Sequence, residues 1–146
     1  MRFWDSSALG SLLLDEVHTS YARPLFDQDS EIVVWWGSSI ECMSVIWGAT
    51  RRGRLPAAVA LRTEEWLFHL QHTWTEIQPS DELRLAAGRI VRVHDLRAAD
   101  AFQLAAALMA SERSLETLPF VCFDKRLSQA AQREGLLVIN PPELQP

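Results

Sequence analysis

The run Ile32-Val33-Val34, inside a segment from Glu31 to Trp36, limits the possible folds more than any other stretch of the chain. Three β-branched residues in succession, without polar alternation, describe a strand covered on both faces. Such strands belong to parallel sheets, whose neighbours must be joined by crossover helices. Other short apolar runs fit that scheme. Met1 to Asp5 reads as a strand ending on an acid, Phe120 to Phe123 as a second such strand, and Leu136 to Ile139 as the last. Between them the pattern predicts a helix after Ser6-Ser7 through Leu13, and one over Ser20 to Gln28, started or interrupted near Pro24. Two more are predicted over Ile40 to Arg52, closing at Gly53, and from Pro56-Ala57 to about Ile77. The rest cover Asp81 to Val93, Ala98 to Ser111, and Asp124 to Glu134 with Gly135 as the stop. The expectation is one α/β domain over residues 1–146. A central parallel sheet of four to five short strands would be flanked by helices as an αβα sandwich.

At 146 residues, 48% of them apolar and with six Trp and six Phe, the chain can bury a sizeable core and is not disordered. The net charge of −5 excludes binding to nucleic acid through a broad basic surface alone. Cys42 and Cys122 each sit in an apolar stretch and read as buried thiols rather than a disulfide or zinc pair. No leader is visible, and no run reaches the roughly 20 apolar residues that span a bilayer. A soluble, cytoplasmic protein with no membrane partner is expected.

Two segments are built alike, as strand, Asp, helix: Phe3-Trp4-Asp5-Ser6-Ser7 and Val121-Cys122-Phe123-Asp124-Lys125. Open parallel sheets bind ligands beyond the carboxyl ends of their strands, so Asp5 and Asp124 would emerge on one edge. A single example would be read as a helix cap; the repetition favours a site. Glu41 stands in the first turn of the helix from Ile40 to Arg52, which is apolar almost all round and is therefore expected to be buried. Asp100 and Gln103 are the polar pair, three residues apart, in the Ala-rich helix that follows Arg97. Either acid is explained equally well by helix-end electrostatics and by function. Gathered at one place, four carboxylates would raise one another's pKa values and need a cation to stay ionised together. An all-oxygen set selects Mg²⁺ or Mn²⁺, ions that promote phosphodiester hydrolysis. The residues alone leave open whether the four converge.

At these positions the chain resembles the PIN domains, and within them the VapC-type toxins of type II toxin–antitoxin pairs. Asp5-Ser6-Ser7-Ala8-Leu9 resembles the family's strand-end opening, and Glu41 has the expected place after the second strand. Leu96-Arg97-Ala98-Ala99-Asp100-Ala101-Phe102-Gln103-Leu104-Ala105 is close to the L-R-x-x-D-A-x-x-L-A signature. Phe120 to Leu127, then Ala130-Ala131 and Gly135-Leu136, match the closing segment. The resemblance implies a Mg²⁺- or Mn²⁺-dependent endoribonuclease acting on single-stranded or loop RNA such as tRNA or rRNA. It also implies a homodimer silenced by a VapB-like antitoxin. Carried over residue by residue, Asp5, Glu41, Asp100 and Asp124 are the metal and catalytic acids, with Asp124 the weaker ligand and Ser7 a support. The departure is Cys122, where the family often has Thr or Ser; a thiol is the poorer hydrogen-bonding group.

Other signals weigh less. His69 and His72 have metal spacing but no completing ligand. Trp66, Leu70 and Trp74 read as core or dimer contact, and Trp35-Trp36 as packing with base stacking the lesser alternative. Arg51, Arg52 and Arg54 suit a helix C-terminus before they suggest phosphate or antitoxin contact. A strand-end Asp also opens haloacid-dehalogenase-like phosphatases, but those need a second Asp where this chain has Ser7. The alternative to the toxin is a catalytically weak PIN module that acts by binding a protein partner.

Overall fold

The computed structural model describes residues 1–113 and 117–145. Among them five short strands pair in parallel: β1 (Arg2–Trp4), β2 (Ile32–Trp35), β3 (Thr75–Ile77), β4 (Phe120–Val121) and β5 (Val138–Ile139). Their order across the sheet is β3-β2-β1-β4-β5. The chain builds outward from β1 to β3 and then returns to place β4 on the other side of β1. That reversal makes the β1/β4 boundary the topological switch point, where open parallel sheets form ligand crevices.

Among the described residues seven α-helices connect these strands: α1 (Ser6–Leu13), α2 (Thr19–Gln28), α3 (Ser38–Arg51), α4 (Ala57–Gln71), α5 (Asp81–Val93), α6 (Ala98–Arg113) and α7 (Lys125–Arg133). Strand side chains alternate faces, and the two cores follow that alternation. Phe3, Val33, Trp35, Phe120 and Cys122 pack with α5, α6 and α7. Trp4, Ile32, Val34 and Val121 pack with α1 to α4. The unbroken apolar run in β2 is needed because both of its faces are buried. Layers of helix, sheet and helix result, as expected from the sequence.

Three expectations need correction. The helix predicted to reach Ile77 stops at Gln71, and Thr75–Ile77 forms β3, paired with β2 in register Val34↔Glu76. This edge strand is only partly covered, so it lacks the apolar run that marks the central strands. The second correction is α3, which is not buried all round: Cys42 and Ile46 are fully enclosed, but Ile40 is 66% exposed. Third, Pro24 neither starts nor breaks its helix, lying inside α2. Gly53 and Gly135 do serve as stops, with φ of 70° and 88°. In each, the residue after the glycine bonds back across the last turn, Arg54 N–H to the Ala49 carbonyl and Leu136 N–H to the Ala131 carbonyl. Both thiols are buried and free. Leu70 and Trp74 belong to the core, Trp66 packs against it, and His69, on α4, and His72, just past its end, are exposed.

Candidate metal centre

Asp5 is the hinge of the site. It follows β1 directly, its N–H bonds the Val121 carbonyl of β4 at 2.9 Å, and it caps α1 by accepting the Ser7 N–H at 3.0 Å. The switch point therefore fixes its backbone on both sides. Its carboxylate is 2% exposed. The Ser7 hydroxyl donates to Oδ2 and itself accepts the Phe123 N–H at 2.9 Å. The Cys122 thiol reaches the same Oδ2 at 3.6 Å. The three bonds that the Asp5 carboxylate accepts converge on Oδ2, and among the described residues Oδ1 accepts none. Burial, outweighing these hydrogen bonds and reinforced by the Glu41 charge, pushes Asp5 up to about 6.

Glu41 lies in the first turn of α3. Its Oε2 accepts the Ser6 hydroxyl at 2.7 Å, and its Oε1 accepts the Gln103 amide at 3.2 Å. The same amide donates to the Ser38 hydroxyl at 3.0 Å. Glu41 is raised above the ordinary range by burial, with the charge of Asp100 adding to it. Asp100, in the first turn of α6, is raised by burial and then by Asp124, while Arg97 and Arg126 pull it down. Asp124 caps α7, accepting the Leu127 N–H at 2.8 Å, and is exposed. The four acids thus stand in electrostatic sequence, Asp5 to Glu41 to Asp100 to Asp124, along the carboxyl edge of the sheet.

This arrangement is a row of neighbours rather than a closed cage. Among the described residues, no three His, Cys, Asp or Glu side chains are placed to hold a metal ion as they stand. What suits a cation is the chemistry of the set: hard oxygen donors, three of them destabilised as anions by burial and by one another.

The sequence pattern marks the four acids and Ser7 as candidates but not Ser6 and Gln103, which hold Glu41, or Ser38, which accepts from Gln103. Gln103 is fully buried, its Oε1 without a partner among the described residues. A buried amide in an Ala-rich helix, three residues from an acid, was the available signal. Of the aromatic pair, Trp35 is core, stacked on Phe102 at 5.4 Å and 7°, whereas Trp36 is 51% exposed.

A family model described as PIN domain matches residues 2–133. No match was found among the curated proteins. Solved structures of the same fold include a toxin–antitoxin complex from Klebsiella pneumoniae, 16% identical, covering 86% of this chain and 88% of that one, with a TM-score of 0.57. PAE2754 from Pyrobaculum aerophilum is 20% identical over 94% of this chain and 82% of its own, at a TM-score of 0.62. A structure of FitAB bound to an IR36 DNA fragment has a chain 14% identical over 97% of this chain and 95% of its own, at 0.65.

Proposed function

The chain belongs to the PIN domain family, and from that premise we propose that it is a metal-dependent endoribonuclease, the toxin of a toxin–antitoxin pair. The observation that carries the reading is the row of four acids at the switch point, which repel one another and invite a divalent cation. Asp5, Glu41, Asp100 and Asp124 would hold Mg²⁺ or Mn²⁺. A bound ion of that kind supplies Lewis-acid polarisation of the phosphate and lowers the pKa of its water.

The chain's own contribution is positioning. Ser7 and Cys122 fix Oδ2 of Asp5, and Ser6 and Gln103 fix the two oxygens of Glu41, so neither carboxylate has to be ordered when substrate arrives. Arg97 and Arg126, close enough to stabilise the Asp100 anion, put positive charge where a phosphodiester would lie. The substrate class is single-stranded or loop RNA in the cytoplasm. Among the described residues no helix is long and apolar enough to cross a membrane.

The toxin–antitoxin complex among the structural relatives supports an antitoxin as protein partner. So does the apolar recess of about 350 Å³ around Met43, Leu61 and Phe68, with Leu61 and Phe68 more than half exposed. The same surface supports a homodimer. A catalytically weak binding module is favoured by one observation, the thiol in place of a hydroxyl against Asp5.

Total RNA incubated with the purified protein and Mg²⁺ or Mn²⁺ tests the proposal. Discrete fragments that vanish with chelator and with Asp100→Asn are expected. Intact RNA with both metals, in a folded preparation free of partner, would leave the binding module.

A further inference from the structure

Resting on the nuclease reading, we propose that a recess between the α5–α6 connector and α7 binds a backbone phosphate of the RNA flanking the scissile bond. The recess measures about 210 Å³ and is lined by His94, Asp95 and Leu96 on one side and Arg126, Gln129 and Arg133 on the other. One water takes up roughly 30 Å³ of liquid, so the space accommodates a phosphodiester group with part of its hydration.

Its chemistry is cationic in a chain whose net charge is −5. Arg126, Gln129 and Arg133 recur at helical spacing and present two guanidinium groups and an amide on one face of α7. Arg133 has no acidic partner among the described residues. Arg126 is tied to Asp95 through its carbonyl and, at 3.1 Å, its carboxylate. The Asp95 side chain is fully exposed and the Arg126 side chain 56% so. Such a surface pair is worth little and is readily exchanged for a phosphate, which the guanidinium fork binds with two parallel hydrogen bonds.

The wall behind them is fixed. His94 is 8% exposed, and its Nε2 is 2.7 Å from Glu134 Oε1, while Arg89 donates to both oxygens of Glu134. Position relates the recess to the acids. α7 starts immediately after Asp124, which caps it, so Arg126 stands two residues past that acid. Arg133, seven residues further along, lies about 10 Å down the helix. A strand whose phosphate sits at the acids would therefore run along this face of α7. An acidic protein segment suits the recess less, because among the described residues only Leu96 and Ala130 line it with apolar side chains, and they offer no pocket for an anchoring side chain.

The test is binding of a labelled single-stranded RNA oligonucleotide of mixed sequence, followed by fluorescence anisotropy in chelator over a range of salt concentrations. For Arg126→Gln/Arg133→Gln the slope of log affinity against log salt should shrink by about 0.7, the contribution of the one single-strand phosphate that is no longer neutralised. Arg51→Gln/Arg54→Gln, at the far end of α3, should leave the slope unchanged. Both pairs are exposed, and a thermal melt verifies that the variants fold. An unaltered slope in the α7 variant, an equal reduction in the α3 variant, or no RNA binding by the unmodified protein would overturn the proposal. So would weakened binding of an oligoglutamate peptide with RNA binding intact, which would assign the recess to a protein partner. Chelator prevents cleavage, so the nuclease reading fails separately: RNA would stay intact in Mn²⁺ even though the slope had fallen.

Discussion

Replacing Asp5 by Asn should stabilise the metal-free protein while removing its activity. Asp5 is raised from the ordinary 3.8 to about 6, chiefly by burial. The folded state then holds the proton more tightly than the unfolded state does. Stability therefore rises as pH falls through 6, and above 6 the full cost of an ionised buried carboxylate is present. A difference of about 2.2 units at 1.36 kcal/mol each is about 3 kcal/mol at pH 8, falling to roughly half of that at pH 5. Asn removes the charge but keeps an oxygen for the Ser7 N–H and hydroxyl, and it caps a helix as well as Asp does. At about 3 °C per kcal/mol for a chain of this size, the variant should melt roughly 9 °C higher than the unmodified protein at pH 8 in chelator. The gain should shrink by about half at pH 5. Saturating Mn²⁺ should narrow the gap by stabilising only the unmodified protein. Equal melting temperatures at pH 8, or a gain independent of pH, would be incompatible with a buried Asp5 that ionises at a cost.

Other consequences follow from the supporting residues. Gln103→Leu leaves Glu41 Oε1 and the buried Ser38 hydroxyl without their donor, and should cost about 1–3 kcal/mol in urea unfolding at pH 8; an unchanged midpoint would mean that water replaces the amide. Glu134 is held below the ordinary Glu range by Arg89, with His94 adding to it. Its contribution is therefore present above the ordinary Glu pKa and is lost as pH falls through the lower folded value. Glu134→Gln should lower the melting temperature at pH 7 and flatten its decline in acid. Cys122→Ser puts a stronger donor against Asp5 Oδ2, so the pH above which the full cost of ionising Asp5 is present should move below 6. A pH–stability curve that matches the unmodified protein would show that the thiol has no weight there.

The sheet and its helices were legible because burial on both faces leaves an unmistakable run in β2, and because β1 and β4 are each followed, directly or after two residues, by an Asp that caps the next helix. β3 was not legible, since a three-residue edge strand needs little apolar surface and follows Trp74 without a Gly or Pro to end the helical pattern. Ile40 was misjudged for a related reason: periodicity gives the apolar character of a helix face but not whether a neighbour covers it. Position at strand ends marked Asp5 and Asp124, whereas Glu41 and Asp100 were assigned through the family resemblance, which also named Ser7. The groups that hold Glu41 were not named, because Gln103 meets it across 62 residues and Ser6 across 35. Whether a buried polar side chain props up an acid depends on which elements pack together, and that is decided by the whole fold.

Whether the acids act as one cation site is decided by calorimetric titration of Mn²⁺ into the chelator-treated protein, beside Asp5→Asn, Glu41→Gln, Asp100→Asn and Asp124→Asn. Saturable binding is expected in the unmodified protein, lost or strongly weakened in the first three variants and weakened in the fourth. Binding absent from the folded unmodified protein, or equal in all five, would mean that the four carboxylates do not form a metal centre.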